Sequence, residues 1–405
     1  MELKGCRSCD TSGLVSVLDL GEQPWCNDFR LPEDAAKVKV YPLHLVLCRM
    51  CGLLQLDYTV PKEVMFLEHD YLSGMTTTLV QHFYDLAKEN IEQFDLKPSD
   101  IIVDIGGNDG TQLLQYKKLG LRKGINIESA KNIAEISASQ GVRTVNNFFN
   151  EEIVRTGFEE GTIKLISAAG VFFHLEELHS AIKGIKYLLS RDGIFVAQCM
   201  YAGELVKNKS FDMIYHEHLC YYTLRSLMHL LEFYGLTVFD AYHSPIHSGS
   251  LIAKICHTNQ YKQTDRFRET LEMDEEFSHV SAFRNFADTI RKKRYELKNF
   301  LLSLKEKGAT IYAYGAPAKG NTLLNYEEID NSIVDKAVEI NELKVGKVLP
   351  LSNIPIEKEE KDDYPDYYLL LSHNFVGEIL EKNKELLDKG VKFIVPFPEV
   401  TVIEQ

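Results

Sequence analysis

Four titratable side chains follow one another at Tyr215, His216, Glu217 and His218, after the apolar run GIFVAQC and a polar loop. Removal of a proton beside a ketone requires a base that titrates near neutral pH and a hydrogen-bond donor for the enolate oxygen. Histidine and tyrosine supply these two functions. A helix would place Tyr215 and His218 on one face, whereas a strand would pair His216 with His218. The sequence leaves open which histidine faces a ligand, and a structural role is the alternative.

A further histidine, His174, lies just past the apolar run KLISAAG. Ligands of open α/β sheets bind at the carboxyl edge of the strands. His174 is therefore a second candidate polar group of a site. A capping or surface role is the competing interpretation.

A glycine-rich loop, DIGGNDGT at residues 104–111, follows a β-type run and precedes a helix-like segment. Glycine permits positive φ and close approach of the backbone to a ligand, and asparagine tolerates the same conformation at small cost. Glu128 stands 22 residues after Gly106, at the end of the next β-type run, where an acidic side chain binds ribose hydroxyls. We predict a nucleoside cofactor held by Asp104, Gly106, Asn108, Gly110 and Glu128.

Two features of this loop favour S-adenosylmethionine (SAM) over NAD. Asp104 ends the strand, and the G-x-G-x-x-G register fails because Asn108 and Thr111 occupy its second and third glycine positions. SAM carries no pyrophosphate, so it does not need that close approach at a helix N-terminus. NAD bound with the same geometry is the competing interpretation, and a plain strand-to-helix turn is a third.

Two Cys-x-x-Cys pairs, Cys6 with Cys9 and Cys48 with Cys51, occupy the N-terminal region. Each pair directs two thiolates at one metal ion, and two pairs complete a tetrahedral site. Soft sulfur ligands favour zinc. Because four protein ligands leave no position for water, we predict a structural Zn²⁺ rather than a catalytic one. Unrelated buried cysteines are the alternative.

Composition narrows the class of protein. The chain has 405 residues, with 59 acidic against 45 basic side chains and a formal net charge of −14. This acidic balance argues against non-specific binding of nucleic acid. The N-terminus MELKGCRSCD has no apolar signal-peptide core, and the apolar runs are too short to cross a membrane. We expect a cytoplasmic protein without a nucleic-acid or membrane partner, and a monomer, with a weak homo-oligomer as the alternative.

The order of apolar runs predicts an α/β fold in three parts. Short strand-like runs fill residues 1–66, which we assign to a small zinc-binding β module. Alternating β and helical segments over residues 67–260 predict a parallel, doubly wound sheet, a Rossmann-like cofactor domain. Residues 261–405 hold a charged helical connection and a second, smaller Rossmann-like α/β domain.

Taken together, these motifs resemble the nucleotide-sugar C-methyltransferases of unusual deoxysugar pathways. The resemblance covers nearly the whole chain, and its specific segments are YHEH and GAPAKGNTLLNY. It rests on the cysteine pairs, the G-x-x-P-x-x-N stretch at 21–27, DYLS at 70–73, the DIGGNDG loop, IYHEHLCYYTL at 214–224, HSGSL at 247–251, YGAPAKGNTLLNY at 314–326 and FIVPFPE at 393–399.

The resemblance implies a SAM-dependent enzyme that methylates carbon 3 of an NDP-linked, in the first place TDP-linked, 4-keto-6-deoxysugar. His218 is then the base and Tyr215 its partner at the sugar, with Glu217 and His174 supporting the site. The residues expected to hold the sugar nucleotide between domains are Tyr71, Ser73, Lys319 and Asn321. No catalytic metal is implied.

The loop at residues 314–321, YGAPAKGN, follows a β-type run and opens a helix-like segment. A glycine turn with a lysine at a helix start can hold a phosphate. The Walker spacing is missing, which argues against ATP hydrolysis. We favour contact with the sugar diphosphate, and a tight turn that serves packing is the alternative.

Three positions depart from the family pattern and would bear on which sugar is bound. Gln198 stands where a glutamate is expected, Ser248 replaces a glycine, and Glu342-Leu343 follow residues 339–341 without the expected proline. The competing functions are an NAD-dependent nucleotide-sugar dehydrogenase or epimerase with an accessory zinc module, a non-enzymatic scaffold, and an O- or N-methyltransferase. The YHEH cluster argues against a non-enzymatic scaffold, because a scaffold does not require four adjacent titratable side chains.

Overall fold

The structure is a computed structural model that describes residues 1–68, 70–246, 249–277 and 279–405. His247 of the HSGSL segment and the departure at Ser248 lie outside the described residues. In the described part of the chain, the strands form three sheets. Among these residues, no helix combines the length and apolar character needed to cross a bilayer.

The first sheet is antiparallel and carries the cysteine pairs at its edge. Its strands, in spatial order, are β1 (Leu14–Pro24), β2 (Val40–Cys48), β3 (Leu54–Leu56) and β9 (Cys220–Tyr221). A short helix, α1 (Lys62–Phe66), leads out of it. The strand β9 comes from far along the chain, so the sheet is not confined to residues 1–66.

The second sheet has the spatial order β10-β11-β8-β7-β4-β5-β6. The strands are β4 (Ile102–Ile105), β5 (Gly124–Glu128), β6 (Arg143–Asn146), β7 (Ile163–Ala169), β8 (Leu189–Met200), β10 (Leu236–Ser244) and β11 (Ser250–His257). Strands β4 to β8 pair in parallel, and β11 runs antiparallel to both of its neighbours. All four residues of β4 are buried, as expected of a parallel strand covered on both faces.

Helices cover the second sheet. They are α2 (Thr77–Phe94), α3 (Thr111–Lys118), α4 (Lys131–Ser139), α5 (Glu151–Gly157), α6 (Leu178–Leu188), α7 (Ala202–Lys207) and α8 (Leu224–Glu232). Leu79, Phe83 and Leu86 illustrate the helical spacing by which α2 buries one face. This helix ends at Asp95, which adopts the left-handed conformation.

The predicted helical connection consists of α9 (Asp265–Met273), α10 (Val280–Lys293) and α11 (Glu296–Lys305). The third sheet follows in the spatial order β14-β13-β12-β15-β16-β17, parallel except for β17. Its strands are β12 (Ile311–Tyr314), β13 (Lys336–Glu339), β14 (Ile356–Lys358), β15 (Tyr367–Leu370), β16 (Lys392–Val395) and β17 (Thr401–Ile403). Its helices are α12 (Ala318–Tyr326), α13 (Val376–Lys382) and α14 (Lys384–Asp388).

The two parallel sheets share one topological feature. In the second sheet, β4 lies between β5 and β7, and in the third, β12 lies between β13 and β15. In each sheet the chain reverses its winding direction at that strand, and the crevice at the carboxyl end of such a strand is where open α/β sheets bind ligands. The predicted α/β class, with an N-terminal β module and two Rossmann-like sheets, is confirmed.

Candidate active site

A cavity of about 550 Å³ lies where the carboxyl edges of the second and third sheets face each other. The second sheet contributes the loops after β4, β5 and β7, and the third contributes the loops after β12, β13 and β15. This volume is in the usual range for small-molecule sites. Both crevices expected from the topology therefore open into one chamber.

The glycine-rich loop after β4 forms one wall of the cavity. Gly106 and Asn108 have φ values of 60° and 51°, which is the conformation that these residue types tolerate best. The backbone N–H of Asn108 donates to Oε2 of Glu128 at 3.0 Å, and that of Ala130 donates to Oε1 at 2.8 Å. Gly106, Asn108 and Glu128 all line the cavity. The carboxylate is thus fixed at the end of β5, where it fits the ribose of a nucleoside cofactor.

Asp104 and Gly110 lie behind this wall and support it. Asp104 is buried and accepts a hydrogen bond from Ser167 Oγ at 2.6 Å, and burial raises its pKa to about 7. A Cβ atom on Gly107 would stand 2.7 Å from Asp104 Oδ2, so the loop rests directly on this carboxyl group. Gly110 has a φ of 82° just before α3. These two predicted cofactor residues shape the loop instead of lining the cavity.

The side chain of Asn108 joins the cofactor loop to a second segment. Its Oδ1 accepts a hydrogen bond from the backbone N–H of Ser73 at 2.9 Å, and its Nδ2 donates to the carbonyl oxygen of Tyr71 at 3.1 Å. The backbone N–H of Gly74 donates to Asp109 Oδ2 at 2.9 Å. Tyr71 and Ser73, for which substrate contact is predicted, both line the cavity.

The residues Tyr215 to His218 form a single turn, neither helix nor strand. The backbone N–H of His218 donates to the carbonyl oxygen of Tyr215 at 2.8 Å, and the two rings lie 3.8 Å apart between centroids. Nδ1 of His218 lies 2.8 Å from the carbonyl oxygen of Met213. A carbonyl only accepts, so Nδ1 carries a proton, and in the neutral form of the ring Nε2 is the basic nitrogen. The ring of His174 lies 5.2 Å from that of His218, and Tyr215, His218 and His174 all line the cavity.

His216 is directed away from the cavity, against the N-terminal sheet. Its Nε2 lies 3.3 Å and 3.2 Å from the carbonyl oxygens of Tyr41 and Pro42. Burial lowers the pKa of His216 to about 4. The structure therefore assigns His218, and not His216, to the cavity wall.

Glu217 connects the turn of residues 215–218 to the N-terminal domain. Its Oε1 accepts hydrogen bonds from Trp25 Nε1 and Asn27 Nδ2, both at 2.7 Å, and it is 3% exposed. Asn27 and Glu217 both line the cavity. Burial, and next the charge of Glu217, raise the pKa of Tyr215 well above its usual range, so its hydroxyl stays a hydrogen-bond donor.

The four cysteines of the N-terminal region converge. Their sulfur atoms lie within 4.8 Å of one another, with Cys6 and Cys51 3.5 Å apart and Cys9 and Cys48 also 3.5 Å apart. Gln55 Nε2 donates to Cys6 Sγ at 3.1 Å, a contact that supports a thiolate. Four mutually adjacent sulfur ligands fit a closed, structural zinc site.

Comparisons with known proteins agree with this geometry. Profiles described as a zinc binding domain, a methyltransferase domain and a C-methyltransferase C-terminal domain match residues 6–66, 80–241 and 245–398. The C-methyltransferase NovU of Streptomyces niveus is 31% identical over 98% of this chain and 96% of its own. The chain belongs to the SAM-dependent C-methyltransferase family.

Two solved structures each cover under half of this C-methyltransferase. The YcgJ protein of Bacillus subtilis covers 44% of the chain and 100% of its own, at 13% identity and a TM-score of 0.36. Magnesium protoporphyrin IX methyltransferase of Synechocystis PCC 6803, solved with bound SAM, covers 44% and 79%, at 10% identity and a TM-score of 0.35.

The remaining predicted substrate residues, Lys319 and Asn321, lie in the first turn of α12. Lys319 lines the cavity, and burial lowers its pKa to about 8. Asn321 is buried, and its Nδ2 donates to the carbonyl oxygen of Cys26 at 2.7 Å. Asn321 thus joins the C-terminal and N-terminal domains behind the cavity wall.

Several functional residues of this C-methyltransferase escaped the sequence analysis. Trp25 and Met213 hold Glu217 and His218 through tertiary contacts that no local pattern encodes. His373, which forms a buried ion pair with Asp212, follows the apolar strand β15. The strand-end argument that singled out His174 would have found it.

Two departures from the family pattern lie off the cavity wall. Gln198 is buried, and its Oε1 lies 2.8 Å from Nε2 of His82. Glu342 pairs with Lys358 at 2.6 Å on the surface, beside the exposed Leu343.

Proposed function

We propose that this C-methyltransferase methylates carbon 3 of an NDP-linked, in the first place TDP-linked, 4-keto-6-deoxysugar through an enolate. The observation that carries the proposal is the tautomer of His218, whose Nδ1 donates to Met213 O at 2.8 Å and leaves the lone pair on Nε2. In its neutral form, an imidazole on the wall of a partly enclosed cavity is suited to remove a proton beside a ketone.

Each catalytic side chain has one role in the proposal. His218 accepts the proton from the carbon beside the ketone, and the Tyr215 hydroxyl, kept protonated by burial, donates to the developing oxyanion. Glu217 holds the turn that carries both rings, and His174 packs beside His218. When bound, SAM supplies an electrophilic methyl group, and Gly106, Asn108 and Glu128 would hold it beside this turn.

The cavity suits a substrate that is anionic at one end. Lys319 and Lys344 both line it, and Tyr71 and Ser73 lie on the side of the cofactor loop. Lys319, at the helix start after β12, and Lys344, in the loop after β13, are suited to a diphosphate. The acceptor carbon would then lie toward His218, and the nucleotide toward the third sheet. An O- or N-methyltransferase would need no enolising base, and the match to a C-methyltransferase gives the NAD-dependent alternative no support.

The test is proton exchange in deuterated water. Purified protein is mixed with a TDP-4-keto-6-deoxysugar, with and without SAM, and followed by NMR and mass spectrometry. We expect deuterium to enter beside the ketone without SAM and the mass of one methyl group to be gained with SAM. No exchange and no mass gain across a panel of keto-sugars would refute the substrate class.

A matched pair of variants separates the base from the rest of the protein. His218→Gln should abolish exchange and leave the affinity for SAM, measured by calorimetry, within about twofold. His229→Gln alters a histidine of α8 that packs on Phe233, and it should exchange at the wild-type rate. Exchange that survives in His218→Gln would assign the base to another residue.

A further inference from the structure

The turn Phe211–Met213, which precedes the catalytic residues, contacts the C-terminal domain through Phe211 and Asp212, and Ile214 just after it makes a third contact. The ring of Phe211 packs against Tyr326 and Phe397, at centroid distances of 5.1 Å and 5.4 Å. Two residues after Met213, the catalytic turn begins. The position of this turn is therefore set by residues more than a hundred positions away in the chain.

The next contact is a buried cluster of charges. Asp212 Oδ2 lies 2.7 Å from His373 Nε2 and 3.8 Å from Lys319 Nζ, and Lys319 Nζ lies 2.9 Å from His373 Nε2. The side chains are 1%, 8% and 8% exposed, respectively. His373 and Lys319 meet because they follow β15 and β12, which are paired neighbours in the third sheet.

The Asp212 carboxylate needs these two partners. Burial by itself would raise the pKa of Asp212, but the charges of His373 and Lys319 outweigh it and hold the pKa below its usual value. Its second oxygen, Oδ1, is buried without a hydrogen-bond partner among the residues that the structure describes. A carboxylate in this setting resists displacement, since moving it would leave a buried charge uncompensated.

The backbone carbonyl groups of the next two residues, Met213 and Ile214, link Asp212 to the His218 ring and to α12. Met213 O accepts from His218 Nδ1 at 2.8 Å and from the Tyr221 hydroxyl at 3.2 Å. Ile214 O accepts from Thr322 Oγ1 at 3.0 Å. The acceptor that orients the His218 ring thus lies one peptide unit after the Asp212 anchor.

We propose that Asp212 and His373 are positioning residues for His218: their contact fixes the Met213 carbonyl, and this carbonyl sets the tautomer and orientation of the imidazole. The assignment rests on the proposed role of His218 as the base. It gives the C-terminal domain a part in the proton-transfer step, besides its part in the cavity wall. Neither residue touches the reacting atoms.

The test uses Asp212→Asn and His373→Asn in the full-length protein. Lys319 is left unchanged because it lines the cavity, so its replacement would also alter substrate binding. We expect the exchange rate and kcat to fall by roughly 10- to 100-fold, the cost of a small misplacement of a catalytic group. The KM for the sugar nucleotide and the affinity for SAM should change much less.

The pH profile distinguishes a role in positioning His218 from a role that only holds the two domains together. The Met213 carbonyl stabilises the protonated form of His218 through Nδ1–H, so weakening this bond lowers the pKa of the imidazole. The acid limb of the kcat profile should therefore move to lower pH in both variants. A merely structural role would lower thermal stability and leave this limb in place.

The control is Glu399→Gln, which removes an exposed ion pair between Lys209 of the central domain and Glu399 of the C-terminal domain. It should exchange at the wild-type rate. Wild-type exchange and an unmoved acid limb in Asp212→Asn and His373→Asn would overturn the inference, as would loss of SAM binding in both. Exchange that persists in His218→Gln would instead refute the role of His218 as the base, and absence of exchange and of mass gain in the wild-type protein would refute the proposed function.

Discussion

The indole nitrogen of Trp25 lies 2.7 Å from the carboxylate of Glu217, although 192 residues separate them in the chain. Asn27 donates to the same oxygen at 2.7 Å. The first domain therefore reaches the catalytic turn through two side-chain donors. The zinc-binding domain thereby helps to hold the turn that carries Tyr215 and His218.

Trp25→Phe should weaken this hold while it keeps the aromatic packing. Losing one donor to a buried carboxylate costs about 1–3 kcal/mol of unfolding free energy. We expect a lower kcat together with lower stability, measured by methyl-transfer kinetics and chemical denaturation. A double-mutant cycle with Glu217→Gln isolates the contact, and additive effects of the two substitutions would contradict it.

Removal of zinc should disturb the site from a distance. Cys48→Ser deletes one of the four sulfur ligands, so metal analysis should find the zinc content lost or strongly reduced. The loop that carries Trp25 would then loosen, and the exchange rate should fall. Cys256→Ser, at a buried cysteine of β11, is the control and should retain one zinc per chain. Full activity in the zinc-free variant would show that the module is dispensable.

Two substitutions at Asn108 should have different effects. Asn108→Gly keeps the positive φ of 51° and removes only the bonds to Tyr71 and Ser73, so it should weaken binding of the sugar nucleotide more than that of SAM. Asn108→Ala adds the cost of a left-handed residue, roughly 1–2 kcal/mol, and should weaken both. Calorimetric titration of each ligand checks this, and equal behaviour of the two variants would contradict it.

The buried Asp104 carboxyl group should make the ligand-free protein less stable as pH rises from about 4 to about 7. Burial raises the pKa of Asp104 from 3.8 to about 7, so the folded state keeps a proton that the unfolded state releases above its own pKa. The free energy of unfolding therefore decreases as pH rises from about 4 to 7, by on the order of 4 kcal/mol for this group.

Asp104→Asn should reduce that decrease and raise the stability above pH 7. Glu327, whose pKa burial likewise raises to about 7, will keep part of the slope. Urea denaturation of the ligand-free protein over a series of pH values measures the effect. The same slope in the variant and the wild type would show that Asp104 does not titrate in this range.

The order of strands and helices could be predicted because it depends on local runs of apolar residues and on the loops between them. Buried runs such as β4 and β5 are bounded by loops whose residues must lie at the carboxyl edge of the sheet. For this reason the sequence could predict Gly106, Asn108 and Glu128 as residues near a cofactor, and the structure finds them on the cavity wall. The same argument predicts Asp104 there too, but its side chain is buried within β4, behind the wall.

The rest of the site depends on contacts between distant segments. No periodicity could decide between His216 and His218, because the turn that carries them is neither helical nor extended. An asparagine at a helix start could contact a ligand, but Asn321 instead joins two domains by donating to the Cys26 carbonyl oxygen. Such assignments require knowing which domain packs behind each loop, and this is set by tertiary packing.

The two residues of β9 pair with Leu54 and Gln55 and thereby close the edge of the N-terminal sheet. Residues 1–66 therefore do not contain the whole sheet of the metal-binding module. Moved alone to another enzyme, the first 66 residues would expose the unpaired edge of β3, a surface open to pairing with other chains. A working chimera must exchange the segment around Cys220 and Tyr221 as well, which follows the catalytic turn directly. Domain boundaries drawn along the chain therefore cut through a single sheet.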